Sequence, residues 1–190
     1  MEYVHPIRDR KHVEAMKRVL KGGPGGLRDA TLFTLGINSG LRISDLLALH
    51  IGDVQDEQKR IKERIEIRER KTGKIKDFPM GKTAKKALAE YLAQRPDARL
   101  EEPLFLSKQK RPLSRSQAWF VLSQAAQAVG IKERIGTHTL RKTFGYHAHQ
   151  SGVDITRIQK LLNHSAPSVT LAYIGITQDE LDDVYLTLEL

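Results

Sequence analysis

The segment THTLRKTFGYHAH, residues 137 to 149, sets His138 and Arg141 three positions apart. On a helix that spacing places them one turn apart on a shared face. Leu140, Phe144 and Ala148 make the apolar side of the same helix. An imidazole and a guanidinium together are hydrogen-bond donors suited to an anion. A solvated helix surface would carry such a pair as well, so the pattern alone decides nothing. Three further segments add to it. GLRISDLLAL places Arg42 at a break between two apolar helical stretches, where a core residue is expected. ERKTGK puts Lys71 at the mouth of a turn, where its flexible stem can reach a ligand. LLNHSAPSVTLAY ends an apolar run at His164 and brings Tyr173 nine residues later.

Other chemistries find less support. MGKT at 80–83 has the last letters of a phosphate-binding loop, but the glycine required five residues before Gly81 is Lys76. His147 and His149 are two apart and diverge on a helix, and no His-Glu-x-x-His pattern is present, so no metal site is expected. The G-x-S-x-G elbow of serine hydrolases is also missing. With no cysteine in the 190 residues, disulfides, thiolate ligands and a cysteine nucleophile are excluded.

The elements that must position these side chains follow from periodicity. RDATLFTLGINSG has helical apolar spacing at Leu32, Leu35 and Gly36, and Gly40 suits its C-terminal cap. SDLLALH reads as a short helix capped by Ser44. The period then changes: Ile65 and Ile67 alternate with charged residues, Gly73 supplies a turn, and 75–78 return as a second strand. A lone ribbon is marginal, so a third strand around 54–61 or a covering helix is expected. Thr83 is placed to cap a helix that Pro96 stops. SRSQAWFVLSQAAQAVG carries Trp119, Leu122 and Ala126 at helical spacing. Thr137 then caps the opening segment, Asp154 begins another helix, and Pro167 takes a first helical position. TQDELDDVYLTL opens with the Thr177-x-x-Glu180 capping box. The expected class is α+β: mainly helical, with a small antiparallel sheet.

Lysine and arginine number 32 against 23 acidic residues, a net charge of +9 and an isoelectric point near 9.8. A domain this basic is a candidate for nucleic-acid binding, since phosphate contacts release condensed counterions. No apolar run is long enough to span a bilayer, and the N-terminus lacks the apolar segment of a signal peptide. A cytoplasmic protein that engages no membrane is therefore expected.

Taken jointly, Arg42 in GLRISDLL, Lys71 in RKTGK, His138 and Arg141 in HTLRKTF, His164 in LLNHS and Tyr173 in VTLAY resemble the tyrosine recombinase, or phage integrase, family. The resemblance runs from about Pro6 to the end of the chain and covers that family's catalytic domain. It implies attack of a tyrosine oxygen on a DNA phosphodiester, leaving a 3′-phosphotyrosine and a free 5′-hydroxyl. Tyr173 would be the nucleophile, and Arg42 and Arg141 the clamp on the nonbridging oxygens. A transition-state donor of this kind is worth about 3 kcal/mol. His138 would bond the phosphate and assist deprotonation of a phenol whose free pKa is about 10. His164 would contact the phosphate and position the nucleophile. Lys71 would protonate the leaving oxygen, with Lys74 a rival beyond the glycine that matches less well. Asp45 either orients Arg42 or is a plain helix-start carboxylate. No metal or other cofactor is implied.

The implied partner is double-stranded DNA, with a homotetramer on DNA, a monomer or weak oligomer without it, and accessory DNA-bending proteins. The implied outcome is integration or excision of mobile DNA. A type IB topoisomerase-like nicking and resealing enzyme, or a non-catalytic DNA-binding module on the same scaffold, are the alternatives. Lys142 departs from the histidine that often follows the second arginine in the family. The whole of 1–190 reads as one catalytic domain, without the N-terminal helical domain that members commonly carry. Residues 174–190 read as a tail helix with Leu181, Val184, Tyr185 and Leu188 on one side, docking on a neighbouring protomer or on its own core.

Overall fold

The computed structural model describes residues 4–188, apart from the side chain of Asp179; residues 1–3, 189 and 190 lie outside the described residues. Helix α1 (Arg10–Gly22) starts where Asp9 accepts the Lys11 N–H, and it buries Val13, Met16 and Leu20. Helix α2 (Gly26–Ser39) is the centre of the core, with Leu32, Phe33 and Leu35 essentially without solvent contact. Helices α1, α5 (Lys82–Leu92) and α7 (Thr139–Gln150) pack around it. Short helices α3 (Ile43–Leu46) and α4 (Ile51–Val54) lead to strands β1 (Arg64–Arg68) and β2 (Ile75–Pro79). The strands pair antiparallel, with Ile65 opposite Phe78 and Ile67 opposite Lys76.

Among the described residues the sheet has two strands. Of the expected third strand only an isolated bridge between Gln55 and Ile61 forms, and α4 packs against β1 in its place. Burying Ile65 against the core supplies what a free ribbon lacks. Three expected caps are displaced. Ser44 lies inside α3, which begins after Arg42 in extended conformation. Thr83 lies inside α5, capped by Gly81. Thr137 precedes His138, the residue at the start of α7, and its hydroxyl accepts from Arg115 instead. Helix α5 ends at Leu92, short of Pro96.

Helix α6 (Arg115–Ala128) has a full capping box from Ser114 and Gln117, and buries Leu122 and Ala126 while Trp119 stays 47% exposed. Helices α8 (Ile155–Leu161) and α9 (Pro167–Ile174) form a smaller apolar cluster of Ile158, Leu162 and Ile174, joined to the rest through α7. Gly145 permits that junction. A Cβ there would stand 2.7 Å from Ile174 Cγ2 and 3.1 Å from Leu162 Cδ1. Helix α10 (Gln178–Thr187) follows, with the Thr177–Glu180 capping box formed. No described helix is long and apolar enough to cross a membrane.

Candidate active site

Two helix ends build the floor of the site. Helix α2 stops at Ser39 because Gly40 takes a left-handed φ of 60°, and a Cβ at Gly40 would meet the Phe144 ring at 2.6 Å. The chain then rises to Arg42. Helix α8 stops at Leu161, Asn163 takes φ 51°, and His164 follows. Each end leaves carbonyl groups without helical partners. Arg141, 2% exposed on α7, joins the two ends: it donates to Gly40 O at 2.5 Å and to Leu162 O. The side chain is thereby locked beneath the pocket rather than solvated.

Arg42 is held from the other side. Its Nη1 lies 2.7 Å from Glu69 Oε1, with only 16% and 4% of the two side chains exposed. Nη1 makes no directed hydrogen bond among the described residues, so the attraction is that of two close charges. Burial pushes the Glu69 carboxyl up, but the Thr72 hydroxyl, Arg42 and Arg141 outweigh it and hold it below the usual glutamate value. Asp45 does not serve this guanidinium. Its Oδ1 accepts the Arg70 N–H at 2.9 Å, so it fastens the hairpin instead.

Tyr173 faces this floor from α9. Its hydroxyl is 3.3 Å from His138 Nδ1, and its ring meets the rings of His138 and His164 edge-on, at 6.4 and 4.8 Å between centroids. Burial raises the phenol above its ordinary pKa, while Arg141 and Arg42 pull it down. The hydroxyl therefore stays protonated in this state. Both imidazoles are held neutral. Burial and then Arg141 and Arg42 push His164 down to about 4. Burial, then Arg115, Arg141, Lys142 and Arg42, lower His138. Thr170 Oγ1 fixes the His164 ring at 3.1 Å from Nδ1.

Lys71 sits apart at the hairpin mouth, exposed, without a hydrogen bond or ion pair to any described residue. The loop beneath it is ordered by Gly73 N–H to Glu69 O at 2.8 Å and Thr72 Oγ1 to Glu69 Oε2 at 2.7 Å. Lys74 is turned toward Asn163 Oδ1 at 3.4 Å. The structure thus brings Arg42, His138, Arg141, His164 and Tyr173 together, and leaves Lys71 exposed on the hairpin turn. The other described tyrosines are elsewhere: Tyr91 donates to Leu104 O, Tyr146 lies under Arg8, and Tyr185 is 83% exposed.

Two charged residues at the site, Glu69 and Lys76, were not singled out from sequence, and Lys142 was noted only as a departure from the family's histidine. Glu69 sits in a charged run that reads as solvated. Lys142, 5% exposed, lies 5.1 Å over the Tyr173 ring. Lys76 points inward from β2, and the period of two counted back from half-buried Phe78 was the signal for it. Beside Tyr173 an open cleft of about 760 Å³ has Arg115, Trp119, Arg134, His138 and Lys142 in its wall, among apolar neighbours such as Ile135 and Val169. Arg115, Arg134, His138 and Lys142 give the cleft cationic or titratable nitrogen, which suits a polyanion.

The fold and this cluster define a mainly helical domain that sets one tyrosine among two arginines and two histidines, and sequence relatives give it a family. The phage integrase family pattern matches residues 8–180. The chain is 42% identical over 186 residues to the probable integrase/recombinase YoeC of Bacillus subtilis, covering 97% of both chains. It is 35% identical over 165 residues to the tyrosine recombinase XerD of Corynebacterium glutamicum, covering 85% of this chain and 53% of XerD. Among solved structures, XerA recombinase superposes with a TM-score of 0.77 at 21% identity, covering 100% of this chain and 66% of that one. XerH recombinase bound to palindromic difH substrate, a post-cleavage complex, gives 0.75 at 18% identity, with 97% and 53% covered. The chain belongs to the phage integrase family. It spans about half the length of the XerD relative.

Proposed function

We propose that the protein carries out site-specific DNA recombination, cleaving and rejoining strands through a 3′-phosphotyrosine at Tyr173. The observation that carries this reading is the approach of the Tyr173 hydroxyl to His138 at 3.3 Å, directly above the Arg42–Arg141 floor. In the reaction, the Tyr173 oxygen attacks phosphorus and its proton passes to neutral His138, whose lowered pKa leaves Nδ1 free to accept. Arg42 and Arg141 stabilise the charge that gathers on the nonbridging oxygens. His164 donates to the same phosphate. The P–O5′ bond breaks and Lys71 gives the leaving oxygen its proton, its exposed stem allowing it to close over bound DNA. A 5′-hydroxyl from the same or a partner strand reverses the step, because the phosphotyrosine retains the bond energy.

Two guanidinium groups supply the charge that a metal ion would otherwise bring, so the reaction is metal-independent. The substrate is double-stranded DNA met in the cytoplasm, in keeping with the +9 charge. Four copies act on paired sites, with DNA-bending proteins as accessories, and the DNA-free chain is a monomer or weak oligomer. Residues 1–190 act as one catalytic domain whose tail reaches a neighbour. Glu180 ties the first turn of α10 to Arg8 and Gln150, whereas Val184, Tyr185 and Leu186 are 55–83% exposed. The test is a nicked suicide duplex carrying the target site. Wild type is expected to give a covalent adduct that survives EDTA, and Tyr173→Phe to give none while still shifting DNA in a gel. Normal adducts from Tyr173→Phe would refute the assignment.

A further inference from the structure

Lys76 is a half-buried cation that the reaction above leaves without a task. Its Nζ lies 3.4 Å from Ser39 O and 3.3 Å from Leu161 O. These are the last helical carbonyls of α2 and α8, each one residue before the carbonyl that Arg141 takes. The two cations therefore span the same pair of helix ends side by side. Arg141 does so from α7, which is part of the floor. Lys76 does so from β2, which is part of the hairpin.

We infer that Lys76 is a positioning residue for strand cleavage, fastening the hairpin that carries Lys71 to the two helix ends from which Arg42 and His164 emerge. This rests on the strand-cleavage reading given above. A helix C-terminus carries partial negative charge and unpaired carbonyls, so two converging C-termini form a seat for a cation. An ammonium has three rotatable donors and can divide them between two acceptors. Burial, then Arg141, lower the Lys76 pKa to about 8, with Glu69 and Asp45 opposing the shift, which places its charge within the field of the arginine pair. The rest of the hairpin is held nearer its tip, by Glu69 on Arg42, Asp45 on the Arg70 N–H and Lys74 on Asn163. Lys76 adds a polar tie from β2 itself, beside the apolar hold that Ile65 gives β1. Without it, β2 loses its polar link to the two helix ends, and the turn bearing Lys71 shifts on the ties that remain.

The test compares single-turnover adduct formation by wild type, Lys76→Met, Lys76→Arg and Lys71→Ala on two nicked duplexes. One has the ordinary phosphodiester, the other a sulfur in place of the 5′ bridging oxygen. A thiolate, from a group with pKa about 8.5, departs without being protonated. On the oxygen substrate Lys76→Met is expected to slow about a hundredfold, the scale of a 1 Å misplacement. Lys76→Arg is expected to recover most of the rate. On the sulfur substrate Lys76→Met and Lys71→Ala should both return close to wild type. Equal slowing of Lys76→Met on both substrates, or no slowing on oxygen, would overturn the inference. Amide exchange of the DNA-free chain checks the placement without any cleavage. Faster exchange over Arg64–Pro79 in Lys76→Met supports the anchor, and unchanged exchange overturns it even if wild type forms no adduct, a result that would independently sink the strand-cleavage reading.

Discussion

Replacing Glu69 by glutamine removes one negative charge from beneath Arg42 and keeps nearly the same shape. Glu69 is 3% exposed and its oxygen stands 2.7 Å from Arg42 Nη1. Breaking a buried ion pair by deleting one partner costs about 3–5 kcal/mol. Glutamine preserves a carbonyl acceptor, and Arg42 keeps 16% of its side chain in solvent. The expected loss is therefore smaller, about 2 kcal/mol at neutral pH. For a chain of this size that lowers the melting temperature by about 4–8 °C. The loss has a pH signature. Glu69 titrates below its ordinary value of 4.5 in the folded state, so the unfolded chain binds the proton first and stability rises with pH through that window. The stabilisation is fully present above 4.5 and disappears as pH falls through the depressed folded value. Thermal unfolding followed by circular dichroism at a series of pH values measures it. Wild type and Glu69→Gln should differ at neutral pH and converge in acid. A difference that is absent at neutral pH, or that persists unchanged in acid, would refute the charge-pair account of how Arg42 is held.

The same melting series applied to His164→Gln should show the opposite end of the scale. With the folded pKa at about 4 against 6.5 unfolded, wild type is destabilised as pH falls between those values, by about 1–2 kcal/mol after solvent screening, and the variant lacks that slope. Gly145→Ala places a Cβ against Ile174 and Leu162 and should cost about 1–3 kcal/mol. Adduct formation should fall further than that, since Ile174 adjoins Tyr173; a stable variant with normal adduct rates would count against the packing argument. Removing residues 178–190 should leave single-duplex binding intact and reduce assembly of two duplexes, read by sizing with and without DNA, because the apolar side of α10 is exposed. Equal assembly by the shortened chain would exclude the tail as the coupling element.

Much of the scaffold was legible along the chain because helix and strand periods are local. The run from Leu32 to Gly36, the alternation at Ile65 and Ile67, and the Thr177–Glu180 box each depend on a few neighbouring residues and appear as read. Caps were less legible. Ser44 and Thr83 have the right chemistry, yet the chain enters each helix through Arg42 and Gly81, whose extended backbones are set by what precedes them.

The sequence by itself determined the types and order of the side chains gathered at the site: Arg42, His138, Arg141, His164 and Tyr173, with Lys71 on a turn. Residue type fixes proton affinity and donor count, and these need no fold to be stated. Only the tertiary structure decided how each is held. It matched Arg42 with Glu69 rather than Asp45, spent Arg141 on the carbonyls of Gly40 and Leu162, and turned Lys76 into the same seat. Those partners lie 21 residues and more apart, so no local period encodes them. The contacts of Arg141 and Lys76 arise where two helix ends converge and leave carbonyl oxygens that cations can satisfy.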